Sequence, residues 1–147
     1  MNRDFQAANK ASREKMRALT ESMSDEELAL PTVAGWTISS TFAHVAFWDF
    51  RILYLLKHWK KNEIAPSPYD VDTINEAHKP LCLALQPRTA ANLALQAAET
   101  IDSEIEKTSD DLVEKIKSAN VQFKFERNEH REYHLMEIEK ALTSKRN

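Results

Sequence analysis

The fold is decided by residues 38–61, which read ISSTFAHVAFWDFRILYLLKHWKK. Apolar side chains recur at helical spacing throughout this stretch, which is typical of a long helix with one broad buried face. Thr37 is a plausible N-cap, and three lysines lie in the last turn, where the helix dipole favours cations. His44 lies at the edge of the apolar face. The face consists of Thr41, His44, Val45, Trp48, Ile52, Leu55, Leu56 and Trp59.

The rest of the chain also favours helices. It contains a single glycine, Gly35, although average usage is about 7%. Hairpins and phosphate-binding loops need glycine, so sheet folds and nucleotide loops are disfavoured. Residues 121–125 alternate like a strand, but without an evident partner strand we expect a lead-in to the last helix. The predicted long helices are 3–22, 38–61, 88–107 and 126–144; short ones begin after Ser24, at Thr73 (ending near Pro80) and at 110.

These elements predict an all-α fold with a single domain over residues 1–147. Four long helices form a four-helix bundle, and a long crossover containing a short helix joins the second to the third. The third helix buries small side chains, which allow a neighbouring helix to approach closely. Its alanine-rich face is also a candidate surface for a homodimer.

Composition excludes several classes of function. The net charge is −3 and the charges are interspersed, so nucleic-acid binding has little support. No stretch reaches the roughly 20 apolar residues of a membrane span, and the N-terminus has no apolar signal region. Cys82 is the only cysteine and is expected to be an inert, buried side chain. We therefore expect a cytoplasmic protein that binds neither nucleic acid nor membrane.

The histidines form the one constellation that could carry chemistry. His130 and His134 lie one helical turn apart, and His44 lies on another inward-facing helix surface. If the two helices pack together, the three imidazoles can share a divalent ion and leave one coordination position open. Hydrogen-bonded or half-exposed histidines would satisfy the spacing equally well. His58 and His78 do not fit the group, and we expect both on the surface.

Three nearby side chains are candidates for supporting roles. Glu137 is a fourth ligand, a partner that orients an imidazole, or an exposed carboxylate that pairs with a lysine. Asp49 either accepts an imidazole proton or lies at the edge of the bundle. Trp48 either forms a pocket wall or packs in the core. Imidazole suits zinc, nickel, copper and iron, and we expect zinc or nickel.

Two segments resemble signatures of the DinB/YfiT-like superfamily. Residues Gly35–Ile38 leading into Ala43–Asp49 are similar to its second-helix signature, and Glu129–Ile138 to its last-helix signature. Residues Asp72–Asn75 are similar more loosely. The resemblance implies an up-down-down-up bundle whose metal ligands are His44, His130 and His134.

The resemblance also implies candidate activities. Members of the superfamily include bacillithiol S-transferases and a mycothiol-dependent maleylpyruvate isomerase; others are known as damage-inducible proteins or metal-dependent hydrolases. We expect a metal-dependent enzyme that activates a low-molecular-weight thiol for transfer to an electrophilic small-molecule substrate. The alternatives are a hydrolase that uses water at the metal and a non-catalytic metal-binding stress protein.

Overall fold

Seven helices and no strands form the structure, a computed structural model that describes residues 1–147. The all-α prediction is confirmed, and the ends of the four long helices differ from the predicted ones by at most two residues. None of the helices combines the length and the apolarity that crossing a bilayer requires. The helices are α1 (Asp4–Ser22), α2 (Asp25–Leu28), α3 (Ile38–Trp59), α4 (Val71–Ala84), α5 (Pro87–Glu106), α6 (Asp110–Ser118) and α7 (Asn128–Arg146).

Local capping fixes where several helices begin. Ser24 and Thr37 each form a reciprocal capping box at the start of α2 and α3. Pro87 occupies the first position of α5, and Ser109 accepts from the backbone N–H of Leu112 at the start of α6. The starts of α2, α3 and α6 are the predicted ones, α5 begins one residue earlier than predicted, and residues 121–125 form no strand.

The crossover helix α4 differs from its prediction. It begins at Val71, because the Asp70 carboxylate accepts from the backbone N–H groups of Asp72 and Thr73. It also continues through Pro80 to Ala84. Pro80 removes one helical hydrogen bond to the Glu76 carbonyl, but Glu76 lies on the exposed side, where water can replace that bond. The predicted start at Thr73 and stop near Pro80 were therefore wrong.

Two clusters of buried side chains connect the long helices. The first joins the C-terminal half of α1, the N-terminal half of α3, the part of α5 up to Ala98, and α7 from Leu135 onward. Its members include Met16, Phe42, Val45, Ala91, Ala94, Ile138 and Leu142. The second joins the opposite ends and includes Phe5, Ile52, Leu56, Ile101, Ile105 and Phe125. Helix α3 takes part in both clusters and is the central element of the bundle.

Helices α3 and α5 pack closely because α5 presents small side chains to α3. Its five alanines, Ala90, Ala91, Ala94, Ala97 and Ala98, are completely buried. This alanine face is already buried in the interior of the single chain, where its small side chains allow the backbones of α3 and α5 to approach closely. The prediction that this face is a candidate homodimer surface is therefore wrong.

A buried ionic network fixes α7 against the other long helices. Arg131 is fully buried and donates from Nε to Asp49 of α3 (3.0 Å) and from Nη2 to Asp102 of α5 (2.8 Å). Its Nη1 donates to the Asn9 carbonyl oxygen of α1 at 3.2 Å. Burial lowers the pKa of Arg131, but Asp49 and Asp102 outweigh burial and raise it, so the guanidinium stays charged. The network determines which side of α7 faces the core.

Candidate metal centre

Three imidazoles converge where α3 meets α7. Nε2 of His130 lies 3.3 Å from Nε2 of His44 and 3.1 Å from Nε2 of His134. One nitrogen from each ring lies within 4.8 Å of the other two. Nitrogen ligands around a tetrahedral zinc are about 3.3 Å apart when the bonds are about 2.0–2.1 Å long. The separations of His130 from His44 and from His134 match that spacing, and the 4.8 Å limit on the whole group is compatible with one shared ion.

A fourth histidine controls the tautomer of His44. Nδ1 of His78 lies 2.7 Å from the Ile74 carbonyl oxygen, which can only accept, so this nitrogen carries the hydrogen. Burial lowers the pKa of His78, opposed by the Ile74 hydrogen bond, and the neutral ring offers Nε2 as an acceptor. Nδ1 of His44 lies 2.9 Å from that acceptor and donates to it. Nε2 of His44 is left with a free lone pair that faces the other imidazoles.

The position of His78 contradicts its predicted exposure. It is only 6% exposed, and its ring stacks on Phe47 with the centroids 4.3 Å apart. The prediction placed it next to a helix end at Pro80, whereas α4 continues and packs on α3. The spacing of Ile74, His78 and Cys82, four residues apart on one helix face, was the signal that could have found it. His58 is exposed, as predicted.

Glu137 orients the third imidazole. Nδ1 of His134 lies 2.5 Å from Oε1 of Glu137, and since a carboxylate accepts, His134 donates from Nδ1. Its Nε2 therefore also presents a lone pair to the centre. Of the two supporting carboxylates considered from sequence, Glu137 is the one that the structure brings to the imidazoles.

The lone pairs of the three imidazoles match a shared cation better than hydrogen bonds among the rings. Nε2 of His44 and Nε2 of His134 are both acceptors, and a single hydrogen on Nε2 of His130 can satisfy only one of them. Nδ1 of His130 is the one buried side-chain polar atom without a hydrogen-bond partner. A divalent cation would accept all three lone pairs at once, which no assignment of protons achieves.

The electrostatics of the centre keep the rings neutral. Burial, with smaller contributions from His134 and His78, lowers the pKa of His44 to about 3. Burial and the neighbouring imidazoles lower the pKa of His130 to about 2. Burial also lowers the pKa of His134, although Glu137 opposes the shift. At neutral pH the three imidazoles are therefore uncharged. Metal ligation requires this state, because a second ring proton would occupy the lone pair that binds the ion.

Asp49 does not contact the imidazoles. Its Oδ1 accepts from Nε of Arg127 at 2.9 Å and its Oδ2 from Nε of Arg131 at 3.0 Å. Five positions after His44 correspond to a rotation of about 140° on a helix, which points the carboxylate to another face. Asp49 therefore does not accept an imidazole proton, and since it is completely buried it does not lie at the edge of the bundle either. Both predicted roles of Asp49 were wrong. Both arginines were missed from sequence, because charged residues close to His130 in sequence are typical of an exposed helix face and its approach.

Two cavities open onto the histidines. The larger, of about 610 Å³, contains Trp48, so this side chain forms a pocket wall. The indole Nε1–H of Trp48 donates to the Asn75 side chain at 3.0 Å. The smaller cavity, of about 320 Å³, contains Glu137. Both cavities border His44, His134, Asn75 and Tyr133, so the centre is accessible from two directions.

Comparison with known proteins identifies the family. A family model described as the DinB superfamily matches residues 8–137, which is most of the chain. Comparison with the curated proteins and with the solved structures gave no significant match.

Proposed function

The chain belongs to the DinB superfamily, and on this premise we propose a metal-dependent enzyme that activates a low-molecular-weight thiol for transfer to an electrophilic small molecule. The observation that carries the proposal is the convergence of three Nε2 lone pairs, two of them held in place by hydrogen bonds at the opposite nitrogen. Three neutral ligands leave a coordination position for a substrate, as catalytic sites do.

His44, His130 and His134 would hold the divalent cation, for which we propose zinc or nickel. A bound cation lowers the pKa of a thiol or a water molecule that reaches it, which supplies a nucleophile at neutral pH. The protein provides the neutral imidazoles, and His78 and Glu137 hold two of them in the correct tautomer.

The two cavities support transfer between two molecules. A thiol in one cavity and an electrophile in the other would meet beside His44 and His134, which border both. The thiol gives its proton to solvent or to Glu137, and its sulfur forms the new bond to the electrophilic carbon. The bond from that carbon to its leaving group breaks, and the leaving group departs with the electron pair, as halide does from an aryl halide. Holding both reactants at one point replaces a bimolecular encounter with an oriented one.

Two measurements test this proposal. Elemental analysis of the purified protein should find one divalent ion per chain, absent when all three histidines are replaced by alanine. The metal-loaded protein should accelerate thioether formation between bacillithiol, mycothiol or glutathione and a chromogenic aryl halide. His58→Ala is the matched control, since His58 is exposed and should leave ion content and rate unchanged.

Two outcomes would count against the proposal. The absence of an ion from the wild-type protein would remove every metal-dependent activity. A stoichiometric ion without acceleration by any thiol, together with a large fall in melting temperature on chelation, would favour a non-catalytic protein in which the ion connects two helices.

The position of Glu137 favours hydrolysis as the second candidate. Its Oε1 orients His134, and the side chain borders the smaller cavity, where a water molecule could give it a proton. Glu137→Gln keeps an acceptor for His134 but removes the base. If the protein is a hydrolase, this variant should retain its ion and lose activated-ester hydrolysis about a hundredfold or more. Unchanged turnover would exclude Glu137 as the base.

We also propose an up-down-down-up order for the long helices. The two buried clusters support it, because the N-terminal half of α3 packs with the part of α5 up to Ala98, with the C-terminal half of α1 and with α7 from Leu135 onward. The opposite ends meet in the second cluster. The crossover between α3 and α5 is long enough to return the chain for such a parallel pair.

A further inference from the structure

The larger cavity is cationic, although the chain as a whole carries a net charge of −3. Arg51, Lys124 and Arg127 border it, and no aspartate or glutamate does. The smaller cavity has the opposite character, with Asp72, Glu76 and Glu137 on its walls. The two approaches to the histidines therefore differ in the sign of their charge.

Arg51 is the cation of this cavity that has no acidic partner. Its Nη2 donates to the Ser67 carbonyl oxygen at 2.8 Å, and none of the ion pairs in the structure involves it. Its Nε and Nη1 groups make no hydrogen bond within the protein. Both are accessible to solvent, because the only buried side-chain nitrogen or oxygen without a hydrogen-bond partner is Nδ1 of His130. The Nε and Nη1 groups thus remain free, and Nη2 uses only one of its two hydrogens for Ser67. The second hydrogen of Nη2 therefore still forms one parallel pair of donors, with Nε–H or with Nη1–H.

The surroundings hold Arg51 in place. Its guanidinium carbon lies 4.2 Å from the centre of the Tyr69 ring and 5.9 Å from that of Trp48. Stacking on aromatic rings, together with the bond to Ser67, restricts the side chain before any ligand arrives. An arginine held in this way loses less conformational entropy when it binds an anion.

The neighbouring cations add to the positive potential. Arg127 is only partly neutralised: its Nε donates to Asp49, whereas its Nη2 has no partner in the protein. Asp49 is itself shared with Arg131. Burial lowers the pKa of Arg51, Tyr69 opposes this, and the Arg127 charge lowers it further, as expected for two cations at one cavity. Lys124 lies at the exposed rim, where it pairs with Glu129.

We propose that the larger cavity binds a carboxylate-bearing organic molecule, with Arg51 as its anchor and the histidines at the other end of the ligand. A planar guanidinium that keeps one parallel pair of N–H donors, the second hydrogen of Nη2 and its neighbour, matches a carboxylate. The aromatic walls formed by Trp48, Tyr69 and Phe123 suit a flat or apolar ligand body. The inference deepens the proposed function, because it assigns one of the two reactants to this cavity, but anion binding at Arg51 does not require the cation.

The test uses benzoate as the probe and chelator-treated full-length protein, so that binding at a metal ion cannot contribute. NMR titration should shift the indole N–H resonance of Trp48 and the Nε–H resonance of Arg51. Arg51→Gln should raise the dissociation constant for benzoate about ten- to a hundredfold. Arg51→Lys keeps the charge without the fork and should bind less tightly than wild type.

Matched controls separate this site from general charge effects. Arg17→Gln removes an exposed arginine on α1 and should leave benzoate binding unchanged. Benzamide, the neutral analogue, should bind more weakly than benzoate. Circular dichroism should show that both Arg51 variants keep the helical fold. If Arg51→Gln is unfolded, the benzoate affinity of Arg51→Lys is compared with that of the wild-type protein instead.

Three outcomes would overturn the proposal: equal benzoate affinity in the wild-type protein and the folded Arg51 variants, benzamide binding as tight as that of benzoate, or tighter binding of phenyl phosphate than of benzoate. Failure of the thiol-transfer assay together with Arg51-dependent benzoate binding would refute the proposed function and leave this anion site standing.

Discussion

Nδ1 of His44 lies 2.9 Å from Nε2 of His78, so a side chain of the crossover helix determines which nitrogen of His44 faces the other imidazoles. The bond continues through His78 to the Ile74 carbonyl oxygen at 2.7 Å. Helix α4 therefore contributes to the centre without supplying a ligand.

Replacing His78 should weaken ion binding. His78→Phe removes the acceptor for His44, so the His44 ring loses its fixed tautomer and we expect about a ten- to hundredfold loss of zinc affinity. Competition with a chromophoric chelator measures the constant, and the visible spectrum of the cobalt form reports any change in ligand geometry. His58→Phe on α3 is the control.

A conservative variant separates positioning from packing. The side-chain oxygen of His78→Gln can accept from His44, so this variant should recover most of the affinity. Wild-type affinity in His78→Phe would show that the bond to His44 is unimportant for the ion.

Breaking the buried ionic network should destabilise the fold strongly. Arg131→Met leaves Asp49 and Asp102 without their shared partner, and we expect a loss of about 3–5 kcal/mol in the free energy of unfolding. Urea denaturation measures it. Arg17→Met breaks the exposed pair with Glu99 and should cost less than about 1 kcal/mol. A similar small loss in Arg131→Met would mean that the network does not contribute to stability.

Enlarging the alanine face of α5 should disrupt its packing on α3. Ala94 is completely buried, so Ala94→Leu should destabilise the protein by about 1–3 kcal/mol or more, because the added carbons force the helices apart. Gln96→Leu places the same side chain at an exposed position of α5 and should change stability little. The two variants are compared by thermal and urea denaturation, and equal stability would contradict the close α3–α5 contact.

Cys82 should react slowly with alkylating reagents. Burial raises the pKa of its thiol to about 11, so at pH 8 the reactive thiolate is scarcer than in an exposed cysteine. The iodoacetamide rate should therefore keep rising with pH up to about 11, rather than level off above the usual value of 9.0. Protein unfolded in urea is the control. Equal rates in folded and unfolded protein at pH 8 would show that the thiol is not buried.

The parts of the fold that depend on local pattern were predictable from sequence. The apolar periodicity of α3, the capping residues Ser24 and Thr37, and Pro87 at the start of α5 all act within a few neighbouring residues. The convergence of the histidines was also accessible, because a turn-spaced pair on one helix needs only one further ligand from a packed neighbour.

The remaining features depend on contacts between distant segments. The extent of α4 follows from the Asp70 side chain and from packing on α3, and these also bury His78. The hydrogen-bond partners of Asp49 are two arginines that lie more than seventy positions away in sequence. No periodicity distinguishes Arg131, which is buried among carboxylates, from an ordinary exposed helix residue.

Arg131 directly follows His130, so the charge network and the candidate ligand lie on the same turn of α7. Shifting α7 by one residue would rotate it by about 100° and separate Arg131 from Asp49 and Asp102, which breaks two buried ion pairs. The imidazoles are thus preorganised by the protein interior rather than by an ion. Residues 121–124, which border the larger cavity and lie outside the network, hold no imidazole in place. They can consequently change in evolution without misaligning the centre, which provides a route to new substrate ranges on one scaffold.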